Sequence, residues 1–398
     1  MEPRDLLAQL IRIPSVNPMG RQVSGEIYGE RKLSDFLVEL FRTWGLPAVR
    51  VPVHPDRDNV VALYEPPSPN GTILLDAHQD TVPVEGMSVD PFQAVERNGR
   101  MYGRGACDVK GGMAAMLAAL GRLVVEKPRH AARVFFSATC DEEAGASGME
   151  ALIRQWPQVS AQLCGSPITP QAAIVSEPTG LAVVVAHLGV VRWWAVASGR
   201  ACHSSSPEYG SNAIYLMARI VDALASYDRQ LQTAGPFHPL CGRPSLSVGR
   251  IEGGSSVNVV PDWCRIEIDR RLVPGEQAAS VVEQVRNFVE NELNRLGQHK
   301  PIGAWRFEPP YLTSPPLSDR QNRELAVTLA RHVEMVVGRA DIVGVRYGTH
   351  ASRLAAAGIP SVVFGPGHIE QAHTEDEWID LQEVEQAAQV YYRFCCDR

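Results

Sequence analysis

Short apolar runs alternate with segments of helical spacing along the N-terminal and C-terminal parts of the chain. Residues 4–12 and 31–44 carry apolar side chains at the spacing of amphipathic helices. Apolar runs near 47–53, 58–64 and 72–77 are typical of strands, and the last of them is apolar on both faces, as in a buried parallel sheet. This alternation predicts an α/β domain.

The pattern changes in the middle of the chain. Long strands with alternating polar and apolar residues, such as 190–198 and 264–273, are interspersed with two helical segments. They predict a separate two-layer α+β domain with an antiparallel sheet over residues 182–298. At 398 residues the chain is long enough for two domains. We therefore expect one α/β domain built from 1–181 and 299–398 and interrupted by a smaller one.

Several apolar runs end in histidines or acids. The residues that follow them are His78 and Asp80 after 72–77, Asp141, Glu142 and Glu143 after 132–138, Glu177 after 172–175, and His368, Glu370, His373 and Glu375 in the loop after 361–364. Open α/β sheets bind their ligands at the carboxyl ends of strands. Three consecutive acids repel one another unless a cation or a proton relieves them. These positions predict a metal site, although a solvated charge run is the alternative for the acidic triplet.

A glycine-rich turn at 103–112 precedes a predicted helix that begins near Met113. The turn lacks the Gly-Lys-Ser/Thr ending of a phosphate-binding loop. Asp108 lies just before the helix, where the partial positive charge of the N-terminus keeps a carboxylate ionised. A simple helix cap is the alternative reading of Asp108.

Composition and charge exclude several classes of protein. The net charge of −7 and the pI near 5.9 argue against nucleic acids and anionic membranes as partners. No apolar stretch approaches the ~18 residues of a membrane span, and no secretory signal is visible at the N-terminus. Eight scattered cysteines without a C-x-x-C pair fit reduced thiols, so we expect a cytoplasmic protein.

Five segments, in this order, resemble the dinuclear zinc peptidases and deacylases, the family of acetylornithine deacetylase, succinyl-diaminopimelate desuccinylase, aminoacylase and carboxypeptidase G. The segments are 78–83, 103–112, 141–143, 176–179 and 365–373. The resemblance implies a zinc-peptidase-like α/β catalytic domain with a mixed central sheet flanked by helices. A smaller α+β two-layer lid would interrupt it and join two subunits into a homodimer.

The resemblance also implies five ligands for two Zn²⁺ ions. His78 and Glu177 would bind one ion, Glu143 and His373 the other, and Asp108 would bridge them. Two metals ~3.5–4 Å apart need such a shared ligand, and imidazole and carboxylate groups suit Zn²⁺. The same groups also suit Co²⁺ or Mn²⁺.

Five further residues receive roles from the same resemblance. Asp80 would orient His78, and Glu142 would be the general base. In the lid, His203 would stabilise the tetrahedral oxyanion, commonly from the partner subunit, while Asn258 and Arg271 match substrate-binding positions. Arg271 suits a carboxylate because its planar fork meets two oxygens at once. A polar loop residue is the alternative for His203, and an exposed salt bridge is the alternative for Arg271.

The chain departs from the family in two places near the expected substrate. His350 stands at a position that is acidic in the family, and Met87 and Ser88 stand where an aromatic residue is frequent. These differences concern the identity of the acyl group or the amino acid more than the metal chemistry.

Together these features predict a metal-dependent amidohydrolase that removes the acyl group from an N-acyl amino acid. A carboxypeptidase or dipeptidase of the same family is the alternative, because the same metal pair and carboxylate clamp serve a short peptide. A two-metal phosphoesterase would need cationic groups near a phosphate, and the site loops offer only Arg104 and Lys110. A noncatalytic binding protein would have lost the base or a ligand, and none is missing.

Overall fold

The computed structural model describes residues 1–295 and 303–397. The helices are α1 (Pro3–Ile11), α2 (Arg31–Thr43), α3 (Gly111–Glu126), α4 (Ser147–Cys164), α5 (Ala213–Ala234), α6 (Ala278–Arg295), α7 (Arg323–Val337), α8 (His350–Ala356) and α9 (Leu381–Cys396). The strands are β1 (Ala48–His54), β2 (Arg57–Tyr64), β3 (Thr72–His78), β4 (Val95–Arg97), β5 (Arg100–Tyr102), β6 (Arg133–Thr139), β7 (Ala172–Val175), β8 (Val183–His187), β9 (Gly189–Ser198), β10 (Cys202–His203), β11 (Ser245–Gly253), β12 (Val259–Val260), β13 (Trp263–Leu272), β14 (Ala304–Phe307), β15 (Leu312–Ser314), β16 (Ile342–Val345), β17 (Ser361–Val363) and β18 (Trp378–Asp380).

These elements form two compact units. Unit 1 comprises Met1–Val185, Asp319–Val343 and Thr349–Arg398, and unit 2 comprises Ala186–Ser318 and Gly344–Gly348. Unit 1 extends slightly past the expected boundary at 181/182, because β8 adds to its sheet through the pairing of Val184 with Val363. The expected boundary at 298/299 lies outside the described residues. The residues from 303 to 318 belong to unit 2, because β14 and β15 both pair with β9.

Unit 1 is built on a mixed sheet with the strand order β1-β2-β6-β3-β7-β17-β8-β16. Its centre is parallel: β3 lies between β6 and β7, and β17 follows β7. The outer strands β1 and β2 are antiparallel to their neighbours. All seven residues of β3 are buried, as its apolar sequence predicts. The fold confirms the predicted α/β class with a mixed central sheet flanked by helices.

The parallel centre of the sheet brings the predicted site residues to one edge. Strands β3, β6 and β7 run in the same direction, so His78 ends β3 beside Thr139 at the end of β6. Helix α3 approaches the end of β7 closely, because a Cβ on Gly112 would lie 1.8 Å from the hydroxyl of Ser176. A glycine is therefore required where the Asp108 turn enters α3.

Unit 2 is a sheet of antiparallel strands in the order β11-β13-β9-β14, with β15 also paired to β9. Buried and less buried residues alternate along most of β9 and β13, and the buried ones include Trp193, Ile266 and Ile268. Helices α5 and α6 contribute apolar residues to the same core. This is the predicted two-layer α+β arrangement. Among the described residues of both units, no helix has the length and apolar content to cross a membrane.

Candidate metal centre

Asp108 lies between two histidines that come from distant parts of the sequence. Its Oδ1 is 2.9 Å from Nε2 of His78, and its Oδ2 is 3.2 Å from Nε2 of His373. Burial alone would raise the pKa of this carboxyl, but the hydrogen bonds with His373 and His78 outweigh burial and hold the pKa below its usual range. Each oxygen of Asp108 thus faces a different histidine, as a carboxylate bridging two cations would.

Glu143 completes the cluster. One ligand atom each from His78, Asp108 and Glu143 lies within 4.8 Å of the other two. Oε1 of Glu143 is also 3.2 Å from Nε2 of His373. Burial and the negative charge of Asp108 raise the pKa of Glu143 to about 8, and hydrogen bonds with Asp108 and Glu143 raise the pKa of His373 to about 10. Four of the five predicted ligands are therefore gathered in one cluster, in which Asp108 contacts both histidines and His373 also contacts Glu143.

Glu177 is the fifth predicted ligand and is buried at the end of β7. Burial and the charge of Asp108 raise its pKa, and the charges of Glu142 and Glu143 add to the effect, whereas His78 opposes it. Glu177 therefore lies within electrostatic reach of the cluster. It is not part of the tight group formed by His78, Asp108 and Glu143.

The donor set fits a pair of divalent cations. The residues offer two imidazole rings and three carboxylates, which are the groups that zinc prefers when no cysteine is present. Without a cation, burial and mutual repulsion push the pKa values of Glu143 and Glu177 upward. A bound cation would reverse this tendency by stabilising the ionised carboxylates. The site thus has the charge and the ligand types that a metal pair requires.

The Asp80 carboxylate holds the loop that follows β6. Its Oδ1 and Oδ2 each accept a hydrogen bond of 3.0 Å, from the backbone amides of Glu142 and Glu143 respectively. Nδ1 of His78 is 2.8 Å from the backbone oxygen of Asp80 and 3.9 Å from its carboxylate. This corrects the expectation that the Asp80 carboxylate orients His78, because the backbone carbonyl makes that hydrogen bond and the carboxylate binds the loop.

Glu142 is partly buried beside this cluster. Burial raises the pKa of its carboxyl more than the nearby imidazoles of His78 and His350 lower it, so the net shift is upward. Its backbone is fixed by Asp80. The two adjacent glutamates therefore have different surroundings. Glu143 contacts His373 and belongs to the candidate metal cluster, whereas Glu142 does not belong to that cluster.

Comparison with known proteins agrees with this geometry. The profile of Peptidase family M20/M25/M40 matches residues 74–397, which include all five predicted ligands. The chain belongs to this family. It is therefore a hydrolase of the M20 group, whose members depend on metal ions, and the predicted resemblance is confirmed.

Two curated relatives match nearly the whole chain. The acetylornithine deacetylase of Proteus mirabilis (strain HI4320) is 29% identical over 406 residues, covering 98% of this chain and 96% of the relative. A probable carboxypeptidase of Aspergillus terreus (strain NIH 2624 / FGSC A1156) is 30% identical over 394 residues, covering 93% and 82%. The M20 relatives thus carry both a deacylase and a peptidase name.

Solved structures show the same fold. A tripeptidase of Staphylococcus aureus superposes with a TM-score of 0.77 at 22% identity, covering 99% of this chain and 97% of the other. The YXEP protein of Bacillus subtilis, a dinuclear metal-binding peptidase of the M20 family, superposes with a TM-score of 0.69 at 17% identity, covering 99% and 96%.

The remaining predicted residues of this M20 hydrolase lie in unit 2. His203 is exposed on β10, and its Nδ1 is 2.8 Å from the Ser205 hydroxyl. Asn258 is exposed and accepts a hydrogen bond from Ser256 at 2.6 Å. Arg271 is about one third exposed on β13 and donates to Asp269 at 2.8 Å.

The strand geometry separates Arg271 from its neighbour. Arg270 points to the other side of β13, is fully buried and pairs with Glu276 at 2.7 Å. As alternation predicts, only one of the two guanidinium groups is accessible. The accessible one is Arg271.

The buried carboxylate of Glu377, which was not predicted from the sequence, binds the backbone of the turn that carries Asp108. Glu377 accepts hydrogen bonds from the backbone amides of Gly105, Cys107 and Asp108 at 2.9–3.0 Å and from Arg104 at 2.8 Å. Glu377 thereby fixes the turn that presents Asp108. The available signal was an acid four residues after His373, which could not be told from the other acids around it.

The partner of His350 was not predicted from the sequence. His350 is buried, and its Nδ1 is 3.1 Å from Oδ2 of Asp76 and 3.3 Å from the hydroxyl of Thr139. Asp76 also accepts a hydrogen bond of 2.5 Å from Ser137. His350 thus pairs with an acid on β3, two residues before His78. Asp76 was visible in the sequence only as a polar residue within an apolar run.

Proposed function

We propose that the protein is an amidohydrolase that removes the acyl group from an N-acyl amino acid, with two Zn²⁺ ions as its cofactors. The placement of Asp108, with one oxygen toward His78 and the other toward His373, carries this proposal. The deacetylase relative that aligns over nearly its whole length favours a deacylase. Acetylornithine deacetylase and succinyl-diaminopimelate desuccinylase are the nearest named activities.

The five proposed ligands divide between the two cations around Asp108. His78 and Glu177 would hold one ion, and Glu143 and His373 the other. When bound, such a pair makes a water molecule more acidic and polarises the carbonyl under attack. Co²⁺ or Mn²⁺ would suit the same donor set. The protein holds these ligands in place, since Asp80 and Glu377 fix the backbone of the turns that carry Glu143 and Asp108.

Glu142 would act as the general base. Its backbone is tied to the same Asp80 carboxylate as that of Glu143, so the base and a metal ligand are presented by one short loop. Burial raises the pKa of Glu142 from that of an ordinary glutamate, which makes the carboxylate a stronger base. The carboxylate would accept a proton from the attacking water and deliver it to the leaving amine nitrogen.

The lid residues would bind the rest of the substrate. The described contacts of the His203 ring are both at Nδ1, with the Ser205 hydroxyl and amide, which leaves Nε2 as the donor to an oxyanion. Arg271 would clamp the substrate carboxylate and Asn258 would assist. Asp269 links Arg271 to Arg192, so the three side chains carry one net positive charge, enough for one carboxylate.

The proposed dimer would form through unit 2. Strand β11 lies at the edge of the sheet, and an unpaired edge offers backbone groups to another chain. Large apolar side chains are exposed in the same unit, namely Tyr215 (66%), Ile251 (60%), Val257 (100%) and Trp263 (39%). Such exposure is typical of a surface that another chain covers.

If His203 acts across this dimer, a mixture of two inactive variants recovers activity. His203→Ala and Glu142→Ala homodimers are each expected to have little turnover. After subunit exchange, the mixed dimer contains one intact pair of site and partner histidine, so up to about a quarter of wild-type activity returns when half of the dimers are mixed. The measurement is amide hydrolysis before and after exchange. If the mixture recovers no activity after exchange, or if His203→Ala alone has unchanged kinetics, His203 does not act on the active site of the partner subunit.

Two observations bear on the alternatives. The carboxypeptidase reading remains second, since one relative of similar identity carries that name. The phosphoesterase reading is disfavoured because its two cationic candidates are already engaged: Arg104 binds Glu377, and the buried Lys110 donates to the backbone oxygen of Ile13 at 2.7 Å. The proposed compartment is the cytoplasm, where thiols such as the buried Cys107 and Cys140 stay reduced.

A substrate panel tests the proposed function. Purified protein is assayed for release of free amine from N-acetyl and N-succinyl amino acids and from dipeptides, with and without a chelator. We expect turnover of N-acyl amino acids that the chelator abolishes and added Zn²⁺ restores. Hydrolysis of dipeptides without turnover of any N-acyl amino acid would reverse the ranking in favour of a peptidase.

A further inference from the structure

Strand β2 carries two polar residues that bind the loop on which Glu142 and Glu143 lie. Arg57 and Asn59 are two residues apart, so their side chains point to the same face of the strand. Asn59 is fully buried, accepts a hydrogen bond from the Cys140 amide at 2.9 Å and donates to the Gly148 carbonyl at 2.8 Å. Both ends of the loop are therefore tied to β2 through one side chain.

Arg57 binds the same loop through a buried acid. Its Nε and Nη2 donate to the two oxygens of Glu30 at 2.7 and 2.6 Å, and its Nη1 is 3.2 Å from Oδ1 of Asp141. The Glu30 side chain is fully buried, and one of its oxygens also accepts the Asp141 amide at 3.2 Å. All three guanidinium nitrogens thus have an acidic partner, and Glu30 joins the guanidinium to the backbone of the loop.

Asp141 needs this support because of its backbone conformation. Its φ is 64°, in the left-handed region that costs free energy for a residue with a side chain. The carboxylate is held on three sides, by Arg57, by the Ser147 hydroxyl at 2.6 Å and by Asn17 at 3.1 Å. This turn decides the direction in which the next residue, Glu142, leaves the strand end.

The network continues to the carboxylate that holds the metal-centre loop. The amide nitrogen of the buried Asn17 donates both to Asp141 and, at 2.8 Å, to Oδ2 of Asp80. Asp80 in turn accepts the amides of Glu142 and Glu143. A continuous series of hydrogen bonds and one ion pair therefore runs from Arg57 to the backbone of the proposed base and of one proposed ligand.

We propose that Arg57 is a positioning residue of this hydrolase: its guanidinium, bound to Glu30 and Asp141, fixes the backbone that presents Glu142 and Glu143. This role rests on the proposed function of those two residues. Arginine is required, since a lysine ammonium cannot donate in parallel to both oxygens of Glu30 and also reach Asp141.

The variants that test this are Arg57→Lys and Glu30→Gln. Partners outside the ligand set change metal affinity or activity by ~10–100-fold when they are lost. We expect a fall of this size in kcat, with KM little changed, and a weaker zinc affinity in a titration of the metal-free protein against a chromophoric chelator. Because the two residues act as one unit, the double variant should lose little more than either single variant.

Arg133→Lys is the matched control. Arg133 begins β6, the strand whose other end leads to Asp141, and it also makes a two-pronged ion pair, with Glu65. That pair lies at the end of β6 away from the metal centre. The control is expected to retain kcat and zinc affinity to within about twofold, as for a surface substitution away from the site. Thermal unfolding is followed for every variant, and kinetics are measured well below the lowest midpoint.

The outcomes separate positioning from stability. If Arg57→Lys and Glu30→Gln fold but keep wild-type kcat and zinc affinity, the proposal fails. It also fails if Arg133→Lys loses as much as they do, since the effect is then general. Should Arg57→Lys not fold, Glu30→Gln decides by the same measurements, as it keeps the shape of the acid and one acceptor oxygen. The zinc titration needs no substrate, so it tests the network even if no amide proves to be hydrolysed.

Discussion

Replacing Glu142 by alanine should lower kcat for amide hydrolysis by roughly 10²–10⁴-fold, the usual contribution of a general base. The side chain is partly buried beside His78, and burial raises the pKa of its carboxyl, as suits a proton acceptor. Its removal leaves the attacking water without an acceptor. Metal content should stay at two ions per chain, because Glu142 is not among the proposed ligands. Kinetics and metal analysis on the same preparation provide the measurement.

A control on the same segment sharpens this result. Glu150 lies in the first turn of α4, is exposed and pairs with Arg353. Glu150→Ala removes an acid near the loop without touching the cluster, so its kcat should equal that of the wild type. Activity that survives in Glu142→Ala would mean that another group takes the proton, and the role given to Glu142 would be wrong.

Replacing Asp108 by alanine should abolish activity and leave fewer than two metal ions bound. The carboxylate faces His78 with one oxygen and His373 with the other, so its loss removes a ligand from both sides at once. Even partners outside the ligand set cost ~10–100-fold, and a bridging ligand should cost more. The measurement is zinc content by elemental analysis, with kcat on the same sample.

The control for Asp108→Ala is Asp90→Ala. Asp90 is exposed and accepts a hydrogen bond from the Phe92 amide at 3.0 Å. This variant should retain both ions and full activity. Two tightly bound ions in Asp108→Ala would show that the carboxylate does not bridge them.

Much of the site could be predicted because its chemistry lies at strand ends that are visible in the sequence. The run 72–77 stops at His78, and 172–175 stops just before Glu177, so the sequence alone predicts that both proposed ligands lie at strand ends. Their convergence follows from the parallel pairing of β3 with β7. Pattern and spacing are sufficient here, since consecutive parallel strands end at one edge.

The supporting residues could not be predicted, because their roles depend on contacts across long stretches of chain. Glu377 contacts the Asp108 turn from about 270 residues away, and Asn17 reaches Asp141 from 124 residues away. In the sequence, each is only an ordinary polar residue. The same limit explains why the contact of the Asp80 carboxylate was not predicted, since it binds a loop 62 residues further along the chain.

Some elements were missed for local reasons. Helix α4 has no counterpart among the predicted elements, and Pro157 inside it weakens the helical signal. The proline-rich stretch 301–316 suggests a simple crossing, yet in its described part β14 and β15 pair with β9 on either side of Pro309 and Pro310. Short edge strands tolerate nearby prolines, which hides them from a reading of the sequence.

The most direct measurement is anomalous diffraction at the zinc absorption edge from crystals of the zinc-loaded protein. We expect two strong peaks, one beside His78 and Glu177 and the other beside Glu143 and His373, with Asp108 between them. A single peak, or peaks that Asp108 does not touch, would contradict a two-cation centre.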